Sequence, residues 1–211
     1  MKKEERVIRQ ILYQYYELDK RFTSQKELST ACRVSLGSVH RVVDRLARLG
    51  AIEKKPLGFR IIDPTRILLY WANTRNLHDD ILGRIETSQN VANVEMGLPP
   101  TSVMTAYSAV KKKIGSVPRE YREVHAYGSF LKIKQRFKES PGNVTTIIVL
   151  KPDDHLLEMS QEMVAPLGQI YVDLWQLGAP AKQYVEFLDK KMKSQEMTTL
   201  RGIISRTKGM T

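Results

Sequence analysis

Residues 24–49 constrain this chain more than any other stretch. Ser24 stands three residues ahead of Glu27, the Ser-x-x-Glu spacing that starts a helix, with Thr23 as the alternative cap. A short apolar stripe follows at Leu28 and Ala31, and Cys32-Arg33-Val34 breaks it with a turn. Ser35 then caps a longer helix in which Leu36, Val39, Val42, Val43, Leu46 and Leu49 fall on one side. Gly50 ends it, as glycine commonly does after a last helical turn. Upstream, Val7, Ile8, Ile11, Leu12, Tyr15 and Leu18 recur at helical spacing and predict an amphipathic helix over about residues 3–20. Downstream, residues 51–55 alternate, Pro56-Leu57-Gly58 turns the chain, and residues 59–62 alternate again, which predicts a hairpin. Asp63 and Pro64 suit the cap and first position of the next helix.

One helix, a short helix, a tight turn, a longer helix and a hairpin follow the order of a winged helix-turn-helix. An α-helix fits the major groove of DNA, and the side chains at its N-terminal end reach base edges. With the aliphatic side turned inward, the third helix presents Ser35, Gly37, Ser38, His40, Arg41, Asp44, Arg45 and Arg48. Small residues at 35, 37 and 38 would let the helix end approach the groove floor. Arg41 is long enough for a bidentate contact with guanine, while Arg45 and Arg48 are placed for phosphates. Lys54, Lys55 and Arg60 lie on the expected wing, and Lys26 and Arg33 flank the second helix. Asp44 is expected to pair with Arg48 at the i, i+4 spacing.

Charge supports an anionic partner. The net charge is +11, and residues 1–66 carry 15 basic against 8 acidic side chains, while residues 67–211 carry 19 against 15. The excess is therefore concentrated where the helix-turn-helix is expected. The single cysteine, Cys32, excludes an intrachain disulfide and a multi-cysteine zinc site. No apolar run approaches the ~20 residues of a membrane helix, and no secretory signal is legible at the start. A cytoplasmic setting with no membrane partner is expected.

The second half reads as a mixed α/β unit with a small sheet, so the expected division is 1–63, 64–196 and a tail at 197–211. A helix is expected from Thr65 to about Ile85, a strand over residues 87–97, and a helix capped by Thr101 and running to about Ile114. A strand over Glu123–Tyr127, a helix over Ser129–Phe137, a turn at Ser140-Pro141-Gly142 and a strand over Val144–Leu150 follow. Two helices, 160–177 and 180–195, finish it, broken at Gly178. Asp173, beside aromatics in an apolar helix, would suit a buried arginine or lysine. Nucleotide-loop and zinc-protease motifs are absent, and His40, His78, His125 and His155 are scattered. No metal, cofactor or catalytic residue is expected.

Tyr127-Gly128-Ser129, after a strand and opening a helix, resembles the Gly-Ser element of nucleotidyltransferases. Those enzymes hold magnesium on paired acids of the next strand, which here is Val144–Leu150 and has no acid. The wider pattern joins the expected winged helix to Ile67–Ala72 with Arg75-Asn76-Leu77, then Thr105–Ala109, and last Ala165–Trp175. It resembles archaeal-like winged-helix regulators related to the AbiEi-type antitoxins of type IV toxin–antitoxin systems. The resemblance implies an α+β chain with a DNA-binding N-terminal domain and a degenerate nucleotidyltransferase-like second domain. It also implies a repressor of its own promoter, with a toxin protein as a partner. A homodimer is expected, since one winged helix reads few base pairs, and the first helix with Tyr13, Tyr15 and Tyr16 is a candidate contact. Two rival readings stay open. One is a DNA-tethered nucleotidyltransferase, which the missing acids oppose; the other is a module that binds protein or RNA.

Overall fold

The computed structural model describes residues 2–137 and 145–194. The expected turn at Ser140-Pro141-Gly142, Val144 and the tail at 197–211 lie outside the described residues. The chain is mixed α+β with two small sheets. It opens with α1 (Lys3–Tyr16), β1 (Phe22–Thr23), α2 (Gln25–Cys32) and α3 (Leu36–Arg48). The Ser24 side chain accepts from the Glu27 amide at 3.1 Å and starts α2. The Glu27 carboxylate bonds back to the Ser24 backbone amide, which closes the expected capping box, and it also accepts from Lys20, Thr23 and Gln14. Ser35 caps α3 by accepting from the Ser38 amide.

Strands β2 (Ile52–Lys55) and β3 (Gly58–Ile61) form the hairpin, and β1 pairs with the free side of β3, giving the order β1-β3-β2. β1, only two residues long, was not legible as a strand. Gly58 is needed for this pairing, because a Cβ there would stand 2.3 Å from the Thr23 carbonyl oxygen.

Next come α4 (Pro64–Thr74), β4 (Ile81–Thr87), α5 (Val91–Gly97), β5 (Val103–Thr105), α6 (Ala106–Ile114), β6 (Glu123–Tyr127) and α7 (Phe130–Arg136). They are followed by β7 (Thr145–Leu150), α8 (Asp154–Met159), α9 (Leu167–Gln176) and α10 (182–194). The second sheet has the order β4-β7-β6-β5; β6 and β7 are parallel and the outer pairs antiparallel. One face, with Ile85, Val124, Ala126, Ile147 and Val149, packs with Val94 of α5, Ile133 of α7 and Phe137 just after it. Ile148, Leu150 and Tyr127 belong to a second cluster.

That second cluster runs without a break from the N-terminal helices into the rest of the chain. It joins Val7, Ile11 and Leu12 of α1 to Leu28, Val39 and Leu46 and also to Trp71, Ile170 and Leu174. The approach of α1 to α9 depends on Gly168, where a Cβ would stand 3.0 Å from Leu12 Cβ. Helix α1 is therefore a wall of both halves.

Buried polar residues reinforce that wall. Arg75 donates from Nε to Asp173 Oδ1 at 2.9 Å and from Nη1 to Glu5 Oε2 at 2.6 Å. Its Nη2 donates to Asp80 at 3.1 Å and to the Tyr127 hydroxyl at 2.8 Å. Asp173, expected to hold a buried cation, also accepts from Thr105, Tyr127 and Gln169. Gln169 Oε1 accepts from Arg9 of α1, which donates onward to Asp153 at 2.6 Å and to His155 Nδ1. Burial alone would disfavour the Arg75 charge, but Tyr127, Asp173, Glu5 and Asp80 more than offset it and hold the guanidinium protonated.

Four expected elements differ, one being the helix expected over 160–177, which begins only at Leu167 because residues 161 and 164 pair as a bridge ahead of it. The helix from Thr65 stops at Thr74 because Arg75 turns extended and sends its side chain into the network. Residues 87–97 are not one strand: Thr87 ends β4, and Asn90 caps α5 by accepting from the Asn93 amide at 2.9 Å. Thr101 does not start a helix; Val103–Thr105 pairs with β6 first, and α6 begins at Ala106.

The network makes two mutants informative. Arg75→Met leaves three buried carboxylates without their cation and should cost about 3–5 kcal/mol in urea unfolding, the usual penalty for half of a buried pair; an unchanged midpoint would refute the structural role. His155 is pushed down from 6.5 to about 4 by burial, with Arg9 adding to it. The folded chain thus resists its protonation, so stability is complete above pH 6.5 and falls as pH drops through that window toward 4. Unfolding midpoints across that range should show the decline, and His155→Gln should lessen it, leaving the share of His125, which burial lowers as well.

Candidate nucleic-acid interface

The apolar stripe of α3 is held by Val39, Val42, Val43 and Leu46, all buried. Leu36 and Leu49, expected in the core, are 54% and 40% exposed because the core under α3 is shorter than the stripe. The exposed edge therefore begins with Leu36 and Gly37, and a Cβ built on Gly37 would meet nothing within 4 Å. Leu36 was missed as a surface residue; an apolar side chain beside a glycine at a helix start can meet a thymine methyl group.

Ser38 is corrected. It is buried, and so is no outward spacer. Its hydroxyl lies 2.9 Å from the Ser35 hydroxyl and accepts from Arg41 Nη2 at 3.2 Å. Ser38 thus positions Arg41, which is exposed one turn into the helix. A long cation held at its base loses less rotamer freedom on contact than a free one.

The remaining cations sort into engaged and available. His40 contacts Gln25 at 3.2 Å and Asp44 Oδ2 at 3.1 Å. Lys54 donates to the other oxygen of Asp44 and so ties the hairpin to the flank of α3. Asp44 is thus paired with His40 and Lys54, not with Arg48 as expected, and the Lys54 hydrogen bond above all holds its carboxyl below the ordinary range. Lys55 pairs with Glu53 at 2.7 Å.

Arg45 turns away from the edge. It donates to Glu4 at 3.0 Å and to the Tyr70 hydroxyl at 2.6 Å, with its guanidinium over the Tyr70 ring. Arg33, in left-handed backbone at the end of α2, pairs with Glu158 of α8 at 2.8 Å. Lys26, Arg41, Arg48 and Arg60 are exposed and have no carboxylate within 4 Å among the described residues. Arg66, not singled out from sequence, donates to the Leu49 carbonyl at 2.9 Å and closes the end of α3.

The edge of α3 and the flanking hairpin therefore form one cationic ridge with small side chains at its start. Comparison with family models, curated proteins and solved structures returned no significant match.

Elsewhere, Gly128-Ser129 connects β6 to α7, and the Gly128 amide donates to the Leu150 carbonyl at 3.0 Å. Strand β7 carries no carboxylate. No group of three or more His, Cys, Asp or Glu among the described residues is arranged to hold a metal ion. No helix among them is long and apolar enough to cross a membrane. The tyrosines of α1 have partners within the chain: Tyr13 accepts from Gln161, and Tyr15 lies edge-on to Tyr16 beneath Arg21.

The open space at Gly37 gives a direct test of whether the fold needs a glycine there. Gly37→Ala should raise stability, by up to about 1 kcal/mol, the difference in helix propensity. A lower thermal midpoint would show that the position serves packing and not approach.

Proposed function

We propose that this chain is a sequence-specific double-stranded-DNA-binding transcriptional regulator in which residues 1–63 act as a winged helix-turn-helix. One observation carries the reading. The outward edge of α3 opens with Leu36 and Gly37 and continues through Arg41 and Arg48, which have no carboxylate within 4 Å among the described residues, beside a hairpin tied on by Lys54. In this reading Arg41 takes a base edge, and Arg48, Lys54, Lys55, Arg60 and Lys26 take phosphates. Ion pairs such as Lys54–Asp44 are solvent-exposed and weak, so a phosphate can displace the carboxylate. Arg33 and Arg45, already engaged, take a smaller part. Two copies reading adjacent half-sites would supply the affinity that one module lacks.

Residues 64–196 fit a nucleotidyltransferase-like reading through the succession β6, Gly128-Ser129, α7 and parallel β7. Transfer of a phosphoryl group needs carboxylates to hold metal against the developing charge. With none on β7, we assign this domain a non-enzymatic role in a cytoplasmic regulator. The resemblance to AbiEi-type antitoxins adds self-repression and a toxin partner to the proposal.

The test is binding of full-length protein to duplexes selected from a random library, measured across salt concentrations. Each phosphate contact should contribute about 0.9 to the slope of log affinity against log salt. Arg41→Ala should lose about 1–3 kcal/mol on the selected site and relax base preference, while Lys55→Ala weakens all duplexes alike. Gly37→Glu suits a helix start and should fold normally, yet block approach to DNA. Salt-independent binding, preference for RNA competitor, or full affinity in Gly37→Glu would overturn the reading.

A further inference from the structure

On the face of the second sheet opposite α5 and α7, β6 carries His125 two residues before Tyr127. The imidazole is 1% exposed, and neither ring nitrogen has a hydrogen-bond partner among the described residues. The nearest carboxylate oxygen, on Glu123, is 3.8 Å from Nε2, beyond hydrogen-bonding range. Buried polar side chains are satisfied in the great majority of cases, and an unpaired one costs stability. Such a group lining a cavity marks a place where a ligand would complete the hydrogen bonding.

His125 lines a cavity of about 180 Å³. Leu77, Ile81, Ile148, Leu150 and Leu177 give it apolar walls, and Arg84 of β4 also lines it. Tyr107 packs edge-on to the imidazole at 5.7 Å and stacks on Tyr121 beyond. The same Tyr107, with Glu123 and Pro180, borders a wider cleft of about 500 Å³ that holds Arg119 and Arg122. Arginines at the rim outnumber Glu120 and Glu123.

Each feature selects a part of a ligand. Burial, with the Arg84 charge adding to it, pushes His125 down to about 3, so the ring is neutral and offers one donor and one acceptor. A hydroxyl, which can both donate and accept, matches it. Flat apolar walls and an aromatic neighbour suit a ring. The rim arginines suit a carboxylate.

We propose that this cavity binds a small hydroxy-aromatic carboxylate, with its hydroxyl on His125, its ring between the apolar walls and its carboxylate toward Arg84. The proposal is independent of DNA binding.

The probe is 4-hydroxybenzoate, titrated into the full chain labelled with ¹⁵N-histidine and read by two-bond imidazole spectra. His125 ring signals should shift saturably while His40 and His155, outside the cavity, stay in place. Benzoate, without the hydroxyl, and 4-hydroxybenzyl alcohol, without the charge, should each bind about tenfold more weakly, the equivalent of one lost strong hydrogen bond. Arg84→Gln should weaken 4-hydroxybenzoate to a similar degree. His125→Phe fills the site without a polar group and should fold at least as well but not bind, as read by calorimetry. No saturable His125 shift in the unmodified chain, equal shifts at all histidines, or undiminished binding in a folded His125→Phe would overturn the proposal; the first two need no variant to fold.

Discussion

Two buried arginines on opposite sides of one glutamine fix how the chain's halves meet. Arg9 belongs to the first helix and Arg75 to the end of the fourth, and Gln169 of α9 links them: its carbonyl accepts from Arg9, and its amide donates to Asp173, which binds Arg75. Ion pairs removed from water rarely add net stability over apolar packing of the same shape. What they do is penalise every other arrangement. Sliding α1 by one turn along α9 would take Glu5 from Arg75 and Arg9 from Asp153, leaving buried charges without partners, and that cost exceeds the loss of an apolar contact.

This constraint sets the position of the cationic ridge of α3 relative to the second sheet. Helix α1 packs on α2 and α3 with one set of residues and on α4 and α9 with another. Leu12 reaches α9 only because position 168 has no side chain. A ridge built on α3 is thereby carried on a wall whose other side touches Tyr127 and Asp173 through Arg75. The first 63 residues and the remainder are two regions of charge and pattern but share one apolar core.

Local chemistry was legible in the sequence and long-range chemistry was not. Ser24, Ser35 and Asp63 act as caps at the positions their spacing indicates, because a cap is decided within four residues. Val39, Val42, Val43 and Leu46 are buried for the same reason: a stripe at helical period must face something. Asp173 announced a buried partner by its apolar company, but nothing local could name Arg75, 98 residues away. Arg9 carried a signal that was readable and missed, a charge set between Ile8 and Ile11 on the buried side of α1. The second half misled where an extended residue interrupted a helical pattern, as at Arg75, or where a strand of three residues was set by pairing with β6.

On the ridge, the side chains that remain outward are not equivalent in charge. Asp44 stands among the cations and holds Lys54 and His40, while Arg41 leans on a neutral hydroxyl. A carboxylate in the middle of a cationic surface opposes indiscriminate attraction to phosphate, since an approaching backbone must come close enough to compete for Lys54. Neutral support under Arg41 imposes no such competition, so the residue proposed for a base edge is also the one with least to release. On the proposed DNA-binding reading, the exposed cations nearest to Asp44 would therefore favour close, shape-matched approach over distant electrostatic capture, which is what separates reading a sequence from adhering to any polyanion.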